Sequence, residues 1–135
     1  GLFGDDDFYN RLSKPPLAPP DRAFAPGWLV LNVTSLIALY LVANLPAETA
    51  GRATFLVSEA IGWVLFAAFT SLYFGLKSPT LGAVDTVLGL AAAGVSLWCA
   101  TRLGTWPFWL ILPRVLWLLL ASYVSVGVVW LNRGG

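Results

Sequence analysis

The chain has 135 residues, 58% hydrophobic and 11% charged, with a formal net charge of +1. Together with a mean hydropathy of +0.76, this composition excludes a soluble globular domain, and the near-neutral charge excludes a nucleic-acid binder, which needs Lys and Arg clustered on one face. One cysteine, Cys99, and no histidine exclude an internal disulfide and a thiolate or imidazole metal site.

Residues 1–27 are polar and proline-rich, with Asp5, Asp6, Asp7, Arg11, Lys14, Asp21 and Arg22 set around Pro15, Pro16, Pro19 and Pro20. Four prolines in six residues forbid a regular helix and favour a stiff extended path. The segment is read as an interfacial loop: either a solvated tail or, through Phe8, Tyr9 and Phe24, a strap docked on the rest of the chain. Methionine is absent, so Gly1 is expected to follow a processing or truncation point.

Four apolar stretches follow, about Trp28 to Leu45, Thr54 to Leu76, Leu81 to Ala100 and Trp106 to Leu131. Each is close to the roughly 20 residues needed to cross the hydrocarbon layer. Backbone polar groups in lipid must be satisfied within the segment, so these stretches are expected to be helices. The fold class is therefore an all-α, polytopic membrane bundle of four transmembrane helices, forming one domain over 1–135. Connections of about 4 to 8 residues are expected between antiparallel neighbours. Arg11, Lys14, Arg22, Lys77 and Arg133 fall on the side of the N-terminal loop, against Arg52 and Arg102 on the other, which makes the loop side cytoplasmic by the positive-inside rule. The membrane is expected to be bacterial or that of a mitochondrion or plastid.

Three ionisable residues lie inside the apolar stretches. Glu59 and Arg114 sit at matched depths, roughly 9 Å and 12 Å from the same side at about 1.5 Å per residue, and are expected to form an ion pair, because an unpaired charge at depth costs several kcal/mol. The pair either fixes helix register or has a further role. Asp85 enters from the opposite side and is expected to pair with the loop or another chain. Gly82, Thr86, Gly89, Ala93, Ser96 and Ala100 alternate at spacings of four and three, a small-residue face that admits a close helix neighbour in the same or a second chain. Among the tryptophans, Trp28, Trp98, Trp106, Trp109 and Trp130 lie near helix ends as an aromatic belt would. Trp63 and Trp117 are mid-helix, suited to core packing or ligand stacking. No catalytic set and no metal cluster emerges, and an enzyme is not expected.

One spaced pattern runs through the chain: Phe8-Tyr9-x2-Leu12-x-Lys14-Pro15-x3-Pro19-Pro20-x3-Phe24-x3-Trp28, then Phe74-Gly75, Trp98-x7-Trp106-x6-Pro113-x3-Trp117 and Leu131-Asn132. It resembles the TspO/MBR family of tryptophan-rich sensory and translocator proteins over nearly the whole length. The resemblance implies a five-helix membrane fold, here lacking the first helix, often dimeric, with a pocket near the proline-rich loop that accepts porphyrins, sterols or synthetic ligands. By the same resemblance the pocket wall is Trp28, Phe66, Phe69, Trp117 and Ala121, capped by the loop through Pro15, Pro19 and Phe24. The chain departs from the family at Gly62, Phe66, Phe69 and Ser71, where Gln, Asn, Trp and Pro are usual, and at Arg114, which replaces a usual Tyr. Two functions are carried forward. The first is a sensor or transporter that binds a flat apolar ligand, a tetrapyrrole (porphyrin), sterol or carotenoid, by stacking and shape. The alternative is a non-catalytic accessory subunit of a larger respiratory or photosynthetic membrane complex. The expected partners are the lipid bilayer and either a second copy, as a homodimer, or the subunits of such a complex.

Overall fold

In the computed structural model, residues 12–16 and 24–132 are described. Four long helices follow one another: α1 Phe24–Ala43, α2 Arg52–Thr70, α3 Pro79–Leu103 and α4 Thr105–Leu131. All four are long and apolar enough to cross a membrane. Contacts run around the ring α1–α2–α3–α4 and back to α1, closest between α3 and α4 and sparsest between α1 and α2.

The boundaries shift from those expected, for local reasons. α1 starts a turn early at Phe24 and ends at Ala43 rather than Leu45. Its end is closed by Arg52, whose Nη2 donates to the Ala43 carbonyl at 3.0 Å, a cation on the negative end of the helix. α2 ends at Thr70, and Ser71–Gly75 winds as a wider π-helical turn, with the Leu76 N–H reaching the Ser71 carbonyl at 2.9 Å. Ser78-Pro79 opens α3 rather than merely closing α2. The Ser78 hydroxyl accepts from the Leu81 N–H at 3.1 Å, and Pro79 stands in the first turn, where its missing N–H costs nothing.

The connection between α3 and α4 is shorter than the expected 4 to 8 residues: Gly104 alone joins them. Its φ of +146° and ψ of 167° lie in a region open essentially to glycine only. The sequence shows a Gly there, but not that one residue completes the reversal.

The helices are apolar around their whole circumference, and large residues such as Val30, Tyr40, Val57, Val64, Leu116 and Val126 point outward. For a chain in lipid this is the solvated surface. The tightest core lies at the end away from the N-terminal loop, where Ala38, Val42, Phe55, Cys99, Ala100 and Ile111 pack together. Most of the small-residue face of α3 is buried within this chain: Gly82, Thr86, Ala93, Ser96 and Ala100 are all covered. Gly89 is the exception. It is half-buried, and a Cβ built on it meets nothing within 4 Å.

Candidate functional site

Two layers of side chains occupy the bundle at different depths. In the deeper one Glu59, fully buried on α2, meets Arg114 on α4. Arg114 Nη1 donates to Glu59 Oε1 at 3.0 Å, and its Nη2 contacts Glu59 Oε2. The same Nη1 reaches Ser35 Oγ on α1 at 3.1 Å. From α3, Ser96 Oγ donates to Glu59 Oε2 at 2.7 Å, and Ser58 lies 2.6 Å from Ser96, oxygen to oxygen. All four helices thus supply at least one member to a network centred on a single ion pair. Such a layer is costly to bury and more costly to half-satisfy. None of its buried side-chain atoms lacks a hydrogen-bond partner.

The sequence pointed to Glu59 and Arg114 but not to Ser35 or Ser58, and it read Ser96 only as a small packing residue. The available signal was a hydroxyl at the depth of the pair in three of the four apolar runs: Ser35 beside Thr34, Ser58 and Ser96.

The second layer lies toward the other end. Trp28 on α1 sits 4.9 Å, centroid to centroid, from Phe66 on α2 and 6.3 Å, edge to face, from Trp117 on α4. Trp63 continues the group, 5.9 Å from Phe66. α1 can press against α4 here because Gly27 faces the Trp117 indole, where even a Cβ would come within 3.3 Å. Phe69 and Ala121 are half-buried. Of the expected cap, Pro15 is seated against Gly127, whose missing side chain makes room: a Cβ there would lie 2.6 Å from Pro15 Cγ. Asn132 holds the same segment, accepting from the Ser13 N–H at 3.3 Å and donating to the Ser13 carbonyl at 3.0 Å. Pro19 lies outside the described residues, and Phe24 is described as the first residue of α1.

The tryptophans divide. Trp98, Trp106, Trp109 and Trp130 are more than half exposed, the arrangement of an aromatic belt, with Arg102 5.4 Å over the Trp98 ring. Trp28, which its position at a helix end would put in the same belt and the family resemblance in the pocket wall, turns into the bundle onto Phe66 and Trp117. Asp85 is 6% exposed, and its Oδ1 has no hydrogen-bond partner among the described residues, so the pairing expected for it is not seen there. Among the described residues no three potential metal ligands come together. An apolar groove of about 590 Å³ also opens toward lipid between α2 and α3, lined by Val57, Ile61, Leu65, Leu88, Ala91 and Val95 among others.

Comparison with known proteins places the chain. The model of the TspO/MBR family matches residues 2–131. The chain is 29% identical to the tryptophan-rich protein TspO of Chlorobaculum tepidum over 93% of its own length and 79% of that protein. It is 30% identical to the tryptophan-rich sensory protein of Cereibacter sphaeroides over 97% and 80%. With a translocator protein homolog of Schizosaccharomyces pombe it shares 29% identity over 92% of this chain and 77% of that one.

Proposed function

The chain belongs to the TspO/MBR family, and from that premise we propose that it is a multi-pass membrane protein that binds a flat apolar ligand, a tetrapyrrole, sterol or carotenoid, as a sensor or transporter. The observation that carries the reading is the convergence of Trp28, Phe66 and Trp117 from three helices in the half of the bundle held by the Pro15 segment. Flat ring systems bind where aromatic faces offer area at low entropic cost. Phe66 and Phe69 supply apolar surface only, so stacking and shape dominate recognition. The relatives carry the names of sensory and translocator proteins, and no catalytic step is assigned to this chain.

The test is a titration of the purified protein with protoporphyrin while tryptophan fluorescence is followed. Saturable quenching that Trp28→Ala and Trp117→Ala abolish supports the proposal. Quenching that survives both substitutions, or none in the parent protein, overturns it. A protein stable only with other subunits would favour the accessory-subunit reading.

A further inference from the structure

Asp85 has no role in either layer, yet its carboxylate is almost completely enclosed. An acceptor left without a donor in the interior costs free energy comparable to a lost hydrogen bond, and more if it is charged. Among the described residues no side chain or backbone group supplies that donor, and a small molecule entering the bundle from the Pro15 end would.

Its position supports such a molecule. Ser58 and Ser96 fix the antiparallel register of α2 and α3. From Ser96, Asp85 lies about 16 Å along α3 toward the Pro15 end, and from Ser58, Phe66 lies about 12 Å the same way along α2. Two other buried polar atoms without partners, Trp63 Nε1 and Ser122 Oγ, fall in this same half; the fourth, Arg52 Nε, is at the far end of the bundle. Where the four helices could satisfy their polar groups, around Glu59 and Arg114, they did. There is also open space along α2 and α3 in this region. Gly89, one turn on from Asp85, and Gly62, next to Trp63, would each accept a Cβ that touches nothing within 4 Å. Thr86 is no donor to Asp85, since its hydroxyl is engaged by the Gly82 carbonyl at 2.8 Å.

We infer that Asp85 is the polar anchor of the ligand site, accepting a hydrogen bond from a hydroxyl or amine on the buried end of the flat ligand. The inference rests on the binding reading above and narrows its ligand class. The site prefers a flat apolar molecule whose inner end carries a donor, and rejects one that would bring a carboxylate against Asp85. Carboxylates on a larger ring system must project outward past the Pro15 segment.

The probes are four pyrenes with one ring system and different tails: 1-pyrenemethylamine, 1-pyrenemethanol, 1-methylpyrene and 1-pyrenecarboxylate. Each is titrated into the protein in lipid nanodiscs, against protein-free nanodiscs, and read by energy transfer from tryptophan. The amine and the alcohol should bind roughly tenfold tighter than methylpyrene, the worth of one well-placed hydrogen bond to a charged or polar acceptor, with the carboxylate weakest. Asp85→Leu should bring the alcohol down to methylpyrene, whereas Asp85→Asn, which keeps a carbonyl acceptor, should preserve the alcohol's advantage and lose the amine's. Protection of the Cys99 thiol from a reactive dye confirms that each variant is folded. A protein that binds the carboxylate as well as the alcohol, keeps its order of preference in Asp85→Leu, or binds protoporphyrin but no pyrene overturns the inference. Failure to bind protoporphyrin and every pyrene overturns the flat-ligand reading instead.

Discussion

Replacing Arg114 by leucine tests whether the ion pair stabilises the bundle or only has to be satisfied once present. In the parent protein Glu59 receives Arg114 through both carboxylate oxygens and Ser96 through one. Removing the guanidinium leaves a fully buried carboxylate with one hydroxyl donor, a loss of about 3–5 kcal/mol by the usual cost of breaking a buried pair. Glu59→Leu should cost a similar amount, since Arg114 would keep only Ser35. The double variant removes both charges. It leaves Ser58 and Ser96 bonded to each other, with Ser58 also on the Phe55 carbonyl at 2.9 Å, and should lie within about 1 kcal/mol of the parent or be more stable. The coupling between the two sites is therefore expected to be roughly 3 kcal/mol or more. Cys99 supplies the assay: it is 5% exposed within the tight core, so a thiol-reactive fluorophore reports unfolding during an SDS or thermal titration. Equal and additive losses, with the double variant worst, would refute the reasoning.

Gly104→Ala forces a side chain onto a φ of +146° and should destabilise by about 1–3 kcal/mol in the same thiol assay. Gly89→Ala, which meets no neighbour, should instead stabilise by roughly 0.5–1 kcal/mol; a loss there would show that the open space beside it is needed. Gly127→Ala brings a Cβ to 2.6 Å from Pro15 Cγ, so it should displace the segment and speed protoporphyrin release while leaving thiol protection intact. Asn132→Leu removes both side-chain bonds to Ser13 and should likewise raise the dissociation rate in a stopped-flow quenching experiment. Unchanged release in both variants would show that the segment does not close the site.

Lipid as solvent, four crossings and the partnership of Glu59 with Arg114 were legible without coordinates. Composition and segment length settle the first two, and the third follows because charges that must be paired can be matched by depth alone. Depth, however, is only one of the two coordinates of a helical residue. The other is the direction it faces, and helices apolar on every side carry no periodicity to reveal it. So by position alone Trp28 and Trp106, both at helix ends, were equivalent; only the family resemblance set Trp28 in the pocket wall, and packing turned it onto Phe66 and left Trp106 70% exposed. Ser35, Ser58 and Ser96 were unremarkable hydroxyls until four helices converged on one carboxylate. Asp85, expected to pair with the loop or another chain, is enclosed by its own chain, its Oδ1 without a partner among the described residues. The order of neighbours around the ring decided each of these outcomes, because burial and hydrogen bonding depend on which faces meet.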